Sequence, residues 1–222
     1  KYFTISAKGV KEGDFTFIYG FPGRTQEYIH SEAVRYIEEV GDPHKIALRT
    51  LRLEIMGKYQ AQSQKVRIQY SSKHAGVANA WKKWQGEVKG LGKMKTAAKK
   101  EDYQKRFSLW AKGKEYEGTV EKLDSLYKEL EPYSFATDYY NETVRAVEVG
   151  NFAMSVARLY PKDGDFDSLK LKSLADKFFK DYHIPVDKEI FAAMMGEYER
   201  NVPEKFKPEY FRNQMQKYGS GR

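Results

Sequence analysis

Hydrophobic and polar residues change their spacing near residue 25 of this chain. Before that point Phe15, Phe17 and Tyr19 alternate with Thr16 and Ile18, which is typical of a β-strand. A similar segment precedes it, and the turn-rich "GVKEG" separates the two. A lone hairpin is marginally stable, so this pattern indicates a sheet whose other strands are not in the chain. The two predicted strands cover residues 2–8 and 14–20.

Downstream of the strands the apolar positions follow a helical period. Ala33, Tyr36, Ile37 and Val40 are spaced as i, i+3, i+4 and i+7, and Gly41 is expected to end that helix. Asp42-Pro43 is then a helix start signal. Further helices are predicted at about 42–70, 73–88, 97–112, 115–130, 136–159, 168–182, 187–200 and 208–217. The predicted breaks are Gly90–Gly92, Gly113, Pro132, Pro161–Gly164, Pro185 and Pro203.

The expected fold is therefore mainly α, an irregular bundle of about eight helices with a short N-terminal β-hairpin. Such an arrangement is typical of a helical insertion taken from a β-rich protein. We divide the chain into a hairpin and hinge (1–24), a helical domain (25–218) and a flexible C-terminal end (219–222).

Charge and composition restrict the function only partly. The 39 Lys and Arg residues exceed the 31 Asp and Glu residues and give a net charge of +8, but both signs are mixed along the sequence. The charge alone therefore does not predict nucleic-acid binding. The chain has no cysteine, so it has no disulfide, thiol nucleophile or cysteine metal site. No apolar run approaches the roughly 18 residues that a membrane span requires.

The usual catalytic and metal-binding motifs are absent from the sequence. No nucleophile elbow, Walker loop or dinucleotide-binding glycine motif occurs, so the sequence shows no complete active site. Asp163, Asp165 and Asp167 have the spacing of a calcium loop, but Gly164 is misplaced and no Glu closes the loop. The histidines lie far apart in sequence, which argues against a metal site. They are His30, His44, His74 and His183.

The segment "KHAGVANAWKKWQGE", residues 73–87, has an apolar stripe at helical spacing. Val77, Trp81 and Trp84 are separated by four and three residues, so they share one face of a helix. Aromatic residues at this spacing most often belong to the core. The stripe therefore needs no functional interpretation.

Asn79 differs from that stripe. It stands two positions before Trp81, on the face that Lys82 and Lys83 share, and it weakens a helix interior. One interpretation is an ordinary solvated face. The other is an amide that a rigid helix presents to a ligand.

Two segments carry a resemblance to a known family. "GDFTFIYGFPGRTQEYI" and "YSSKHAGVANAWKKWQGE" resemble the bacterial serine dipeptidyl-peptidases of the types called seven and eleven. These are chymotrypsin-like exopeptidases with a large helical insertion. The PGRT signature at 22–25 and the N-x-W-K-K-W pattern at 79–84 are specific, and the order of helices agrees over almost the whole chain. The resemblance implies that the hairpin belongs to a catalytic β-barrel.

The resemblance also assigns roles to particular residues. Asn79 matches the asparagine with which the helical domain of the family helps to bind the free N-terminus of a peptide. Gly20, Pro22 and Gly23 stand where a hinge strand is expected, although a turn without mobility would use the same residues. The family's other N-terminus contacts, an Asn-Trp pair and an acidic partner, lie in barrel segments outside this chain.

The family's His-Asp-Ser triad likewise lies outside residues 1–222, so the chain should hydrolyse nothing by itself. The resemblance implies a homodimeric parent enzyme, without a cofactor, in the periplasm, at the cell surface or secreted. The preference for acidic or hydrophobic substrates is set in the missing barrel. An alternative remains: a basic helical module that binds nucleic acid or an acidic protein, with steeply salt-dependent affinity.

Overall fold

The structure is a computed structural model that describes residues 4–17, 19–20, 23–160 and 167–219. The described part is mainly helical, which confirms the predicted fold class. The helices are α1 (Ser31–Arg35), α2 (Asp42–Gln62), α3 (Gln64–Met94), α4 (Thr96–Ala111), α5 (Thr119–Glu142), α6 (Glu148–Ala157), α7 (Ser168–Lys180), α8 (Ile184–Asn201) and α9 (Glu209–Tyr218). Short 3-10 turns occur at Val144–Ala146 and Glu204–Phe206.

Helices α1 and α2 form one continuous helix. A π-helical segment, Tyr36–Gly41, joins them. If this continuous helix is counted once, the described residues contain eight separate helices. The prediction that Gly41 ends a helix was wrong. A Cβ atom on Gly41 would lie 2.7 Å from Cε1 of Tyr36, so the glycine admits the tyrosine ring rather than stopping the helix.

The predicted N-terminal hairpin is absent from the described residues between 4 and 20. Only turns are present among them, at residues 7–8 and 12–13, and in the second the backbone N–H of Lys11 donates to Oδ2 of Asp14 at 2.7 Å. Phe15 and Tyr19 are 89% and 96% exposed. A strand requires a partner for its backbone N–H and C=O groups, and the helices supply none.

Several helix ends differ from the predicted positions. The helix predicted to run to about residue 70 ends before Ser63, and α3 continues through Gly90–Gly92. Pro132 lies inside α5. Lys95, with φ +49°, closes α3 in the left-handed conformation. Residues 161–166, which include the predicted break at 161–164, and residues 220–222 lie outside the described part.

The core lies where α2, α3, α5 and α8 meet. α2 contributes Leu48 and Ile55, and α3 contributes Tyr70, which has no exposed surface. Ile190 and Met194 of α8 are also completely buried. No helix in the described residues has the length and apolar character that a membrane crossing needs.

Candidate functional site

The antiparallel pair α2 and α3 positions Asn79. Ser63 is the only residue between these two helices, and it has an extended backbone with φ −147° and ψ 120°. Its Oγ accepts a hydrogen bond from the backbone N–H of Val66 at 3.4 Å, which caps α3. The chain therefore reverses within a single residue, and α3 returns along α2.

The two tryptophans of α3 fix its rotation against α2. The indole N–H of Trp81 donates to Oγ1 of Thr50 at 2.9 Å. Arg49 lies over the ring of Trp84 at 4.5 Å and donates through Nη1 to the carbonyl of Val77 at 3.1 Å. The structure thus places the apolar stripe against α2, as predicted for core residues. Asn79 consequently lies at the edge of that contact rather than within it.

Asn79 is exposed and lines a surface groove between α2 and α3. The groove has a volume of about 750 Å³, and Thr50, Glu54, His74 and Lys82 also line it. The Asn79 side chain makes no hydrogen bond to any residue that the structure describes. Its amide oxygen and amide N–H groups are therefore available to a ligand.

Glu54 was not found from the sequence. It is exposed on α2 and forms no ion pair within the described ranges. No local pattern distinguishes it from the other surface glutamates, because its position beside Asn79 depends on how α3 folds back. Lys83 pairs with Glu87 at 2.5 Å, whereas Lys82 has no such partner in the described part of the chain. The groove thus offers an amide, a carboxylate and an ammonium group.

Gly20 and Gly23, two of the three predicted hinge residues, lie outside this groove. Gly20 has φ +87°, Gly23 is exposed, and Pro22 lies outside the described residues. Nothing in the structure tests a hinge motion, so that role stays a prediction.

The chain is anchored where it enters the helical domain, at His30. Its Nδ1 accepts the backbone N–H of Glu32 at 3.3 Å, and its Nε2 lies 3.3 Å from Oδ1 of Asp124. Because Nδ1 accepts a hydrogen bond, the ring proton of a neutral His30 is on Nε2. The ring also stacks on Tyr127 at 5.1 Å. His30 therefore joins the start of α1 to α5.

Asp167 and His44, two other residues that the sequence singles out, have structural contacts. Among the described residues, no group of three potential ligands could hold a metal ion. Asp167 accepts the backbone N–H of Lys170 at 2.8 Å and caps α7. Asp163 and Asp165 lie outside the described residues. His44 lies 3.3 Å from the hydroxyl of Tyr139, between Nδ1 and Oη.

Comparison with characterised sequences identifies the relatives of this chain. It is 37% identical over 215 residues to an Asp/Glu-specific dipeptidyl-peptidase of Capnocytophaga gingivalis, an alignment that covers 91% of this chain and 30% of the relative. It is 31% identical over 224 residues to dipeptidyl-peptidase 7 of Phocaeicola vulgatus, covering 95% of this chain and 31% of that protein. The chain therefore spans about three tenths of the length of these relatives.

Comparison of structures agrees with this result. Porphyromonas endodontalis DPP11 in complex with the dipeptide Arg-Glu matches with a TM-score of 0.73 at 21% identity. That match covers 91% of this chain and 31% of DPP11, and it shows the fold. The sequence model of peptidase S46 matches residues 1–220. The chain belongs to the peptidase S46 family.

Proposed function

We propose that this chain is the α-helical substrate-capping part of a serine dipeptidyl-peptidase, which releases dipeptides from the free N-terminus of peptides. Membership of the S46 family and the names of the relatives support the reaction class. The catalytic serine, histidine and aspartate belong to the part of such an enzyme that residues 1–222 do not include. Acyl transfer by a triad and an oxyanion hole needs no cofactor.

The proposal depends above all on the free amide of Asn79 in the groove between α2 and α3. An N-terminal ammonium group has three N–H donors that need acceptors. The amide oxygen of Asn79 accepts one of them, and the carboxylate of Glu54 supplies the opposite charge. Lys82 opposes this attraction, but Lys83 does so less because Glu87 pairs with it. The groove therefore suits an amine that lies near Glu54.

In this proposal the helical domain also closes the cleft. Closure at Gly20, Pro22 and Gly23 would bring the groove over the catalytic barrel of the same parent chain and exclude longer N-terminal extensions. The positive φ of Gly20 is a conformation that other residues rarely adopt. We further propose that the parent enzyme is a homodimer and works in the periplasm, at the cell surface or outside the cell.

The test is Asn79→Ala in the full-length enzyme, assayed on a dipeptide amide with a free amine. Loss of one hydrogen bond to a charged group costs about 1.5 to 3 kcal/mol, so kcat/KM should fall roughly tenfold to a hundredfold. The same change should slightly raise stability, because Ala favours a helix interior more than Asn does. The matched control is Asn213→Ala, an exposed asparagine on α9 without a partner in the described residues.

The N-acetylated form of the peptide separates amine recognition from other effects. Acetylation removes the ammonium group, so wild type and Asn79→Ala should have the same kcat/KM for the acetylated peptide. An unchanged kcat/KM for the free peptide, or an equal loss for both peptides, would contradict the assigned role of Asn79.

A further inference from the structure

The positive charge of the chain is concentrated in two helices. Residues 64–112, which form α3, α4, their short connection and the residue after α4, contain 13 Lys and Arg residues but only three Asp and Glu residues. The rest of the chain contains 26 basic and 28 acidic residues. The whole net charge of +8 therefore comes from this region. The two signs are therefore mixed along the sequence outside this region but not within it.

Three of these lysines lie along one face of α3. At about 100° per residue, Lys82, Lys89 and Lys93 point within roughly 80° of the direction of Asn79. All three are exposed, and none has an ion pair or hydrogen bond to a residue in the described ranges. They extend over about 16 Å along the helix axis. We call Lys82, Lys89 and Lys93 the lysine face.

The surface between these lysines is open. Gly86 and Gly90 point in nearly the same direction, and a Cβ atom on either would meet no atom within 4 Å. An extended peptide could therefore lie close to the helix backbone there. At about 3.3 Å per residue, a span of 16 Å accommodates roughly five peptide residues.

We propose that the lysine face binds acidic segments of peptides. Its unpaired ammonium groups attract carboxylates, and charge of one sign on a surface raises the local concentration of oppositely charged ligands. A peptide is favoured over nucleic acid because no aromatic side chain for base stacking lies on this face of α3. This proposal goes beyond the capping function, because it adds acidic peptide segments as ligands. It rests on the proposed function only because the ligand is a peptide. It does not require a free N-terminus.

The test measures binding of the 222-residue chain to a fluorescent, N-acetylated octapeptide with four Asp or Glu residues. We expect fluorescence anisotropy to show binding that weakens as salt is raised, because exposed charges are screened. The triple variant Lys82→Glu, Lys89→Glu, Lys93→Glu should weaken binding at least on the order of tenfold at low salt. The single variant Lys89→Gln should weaken it several-fold and serves if the triple variant does not fold.

The matched control makes the same change of net charge elsewhere. Lys122→Glu, Lys128→Glu, Lys188→Glu replaces three exposed lysines of α5 and α8 that have no ion pair in the described part. This variant should retain most of the affinity. An equal loss in the control would show that only total charge matters and would overturn the proposal. Tighter binding of a single-stranded oligonucleotide of equal charge would overturn it in favour of nucleic acid.

The result of this peptide-binding test does not depend on Asn79. The probe is acetylated, so a failure of amine recognition in the full-length enzyme leaves this result unaffected. Conversely, failure of the unmodified chain to bind the acidic peptide, with Asn79-dependent catalysis intact in the full-length enzyme, would refute only the lysine face. Tight binding of an otherwise identical peptide with Gln in place of the acidic residues would also contradict charge recognition.

Discussion

Arg49 and Glu142 form a bidentate ion pair that joins α2 to the last residue of α5. Both contacts, Nε to Oε2 and Nη2 to Oε1, are 2.8 Å long. Arg52 lies 3.5 Å from the same carboxylate, and Glu142 is only 6% exposed. One buried carboxylate therefore offsets the positive charge of two guanidinium groups of α2, which is one of the two helices that position Asn79.

Glu142→Gln should destabilise the chain strongly. The amide keeps the shape but leaves Arg49 and Arg52 without a counter-charge, so the free energy of unfolding should fall by about 3 kcal/mol. Urea titration followed by circular dichroism measures the loss. The control is Asp102→Asn, which removes an exposed pair with Arg106 and should cost less than about 1 kcal/mol. Equal losses would contradict the role of the buried pair.

Asp187→Ala should loosen α6. The carboxylate of Asp187 accepts the backbone N–H groups of Glu148 and Val149 at 2.7 and 2.9 Å, so α8 caps the start of α6. Loss of both bonds should lower the free energy of unfolding by about 2 kcal/mol and speed hydrogen exchange in α6. Asp167→Ala removes an exposed cap of α7 and should cost about 0.5 to 1 kcal/mol. A larger effect for Asp167 would refute this ranking.

Two glycines in one continuous helix should respond oppositely to alanine. At Gly41 a Cβ atom would lie 2.7 Å from Tyr36, whose hydroxyl donates to Asp138 at 2.8 Å and so cannot easily move. Gly41→Ala should therefore lower the melting temperature, at a cost of about 1 to 3 kcal/mol. Gly57→Ala meets no atom within 4 Å and should stabilise the helix by about 0.5 to 1 kcal/mol. Stabilisation by both changes would refute the crowding at Tyr36.

His44 should make stability depend on pH near neutrality. Burial lowers the pKa of His44 below its ordinary value of 6.5, although the charge of Asp138 acts in the opposite direction. The unfolded chain therefore binds more protons than the folded chain, and stability should fall as pH decreases from about 7.5 to 5. Denaturant titrations should show that the stability of His44→Phe decreases less steeply as pH falls, because phenylalanine supplies an aromatic ring that does not titrate. Parallel curves would contradict this assignment.

The sequence predicts the helices and their buried faces better than it predicts their ends. The spacing of Val77, Trp81 and Trp84 correctly indicates the side of α3 that contacts α2, because helix geometry alone decides which residues share a face. Gly41 and Pro132 were misread as ends. A proline removes one backbone hydrogen bond, and the contacts of α5 offset that local loss.

The candidate site was predicted only in part. Asn79 could be singled out because it is a polar residue at an unfavourable helical position. Glu54 could not, since its place beside Asn79 depends on the reversal at Ser63 rather than on any local pattern. The N-terminal strands illustrate the opposite error: the alternation is present, but the described residues of this segment form no sheet without partner strands.

The length of the continuous helix from Ser31 to Gln62 means that a small rotation at its start moves its far end by a large distance. It begins beside His30, where the chain enters the domain, and it carries Glu54 about 35 Å further along its axis. If the helical domain turns as one rigid body about Ser31, a rotation of about 10° moves Glu54 by about 6 Å. That displacement exceeds the spacing of about 4.8 Å between neighbouring extended chains. Under the proposed capping function, a modest change of angle at His30 would therefore be enough to admit or expel a peptide strand.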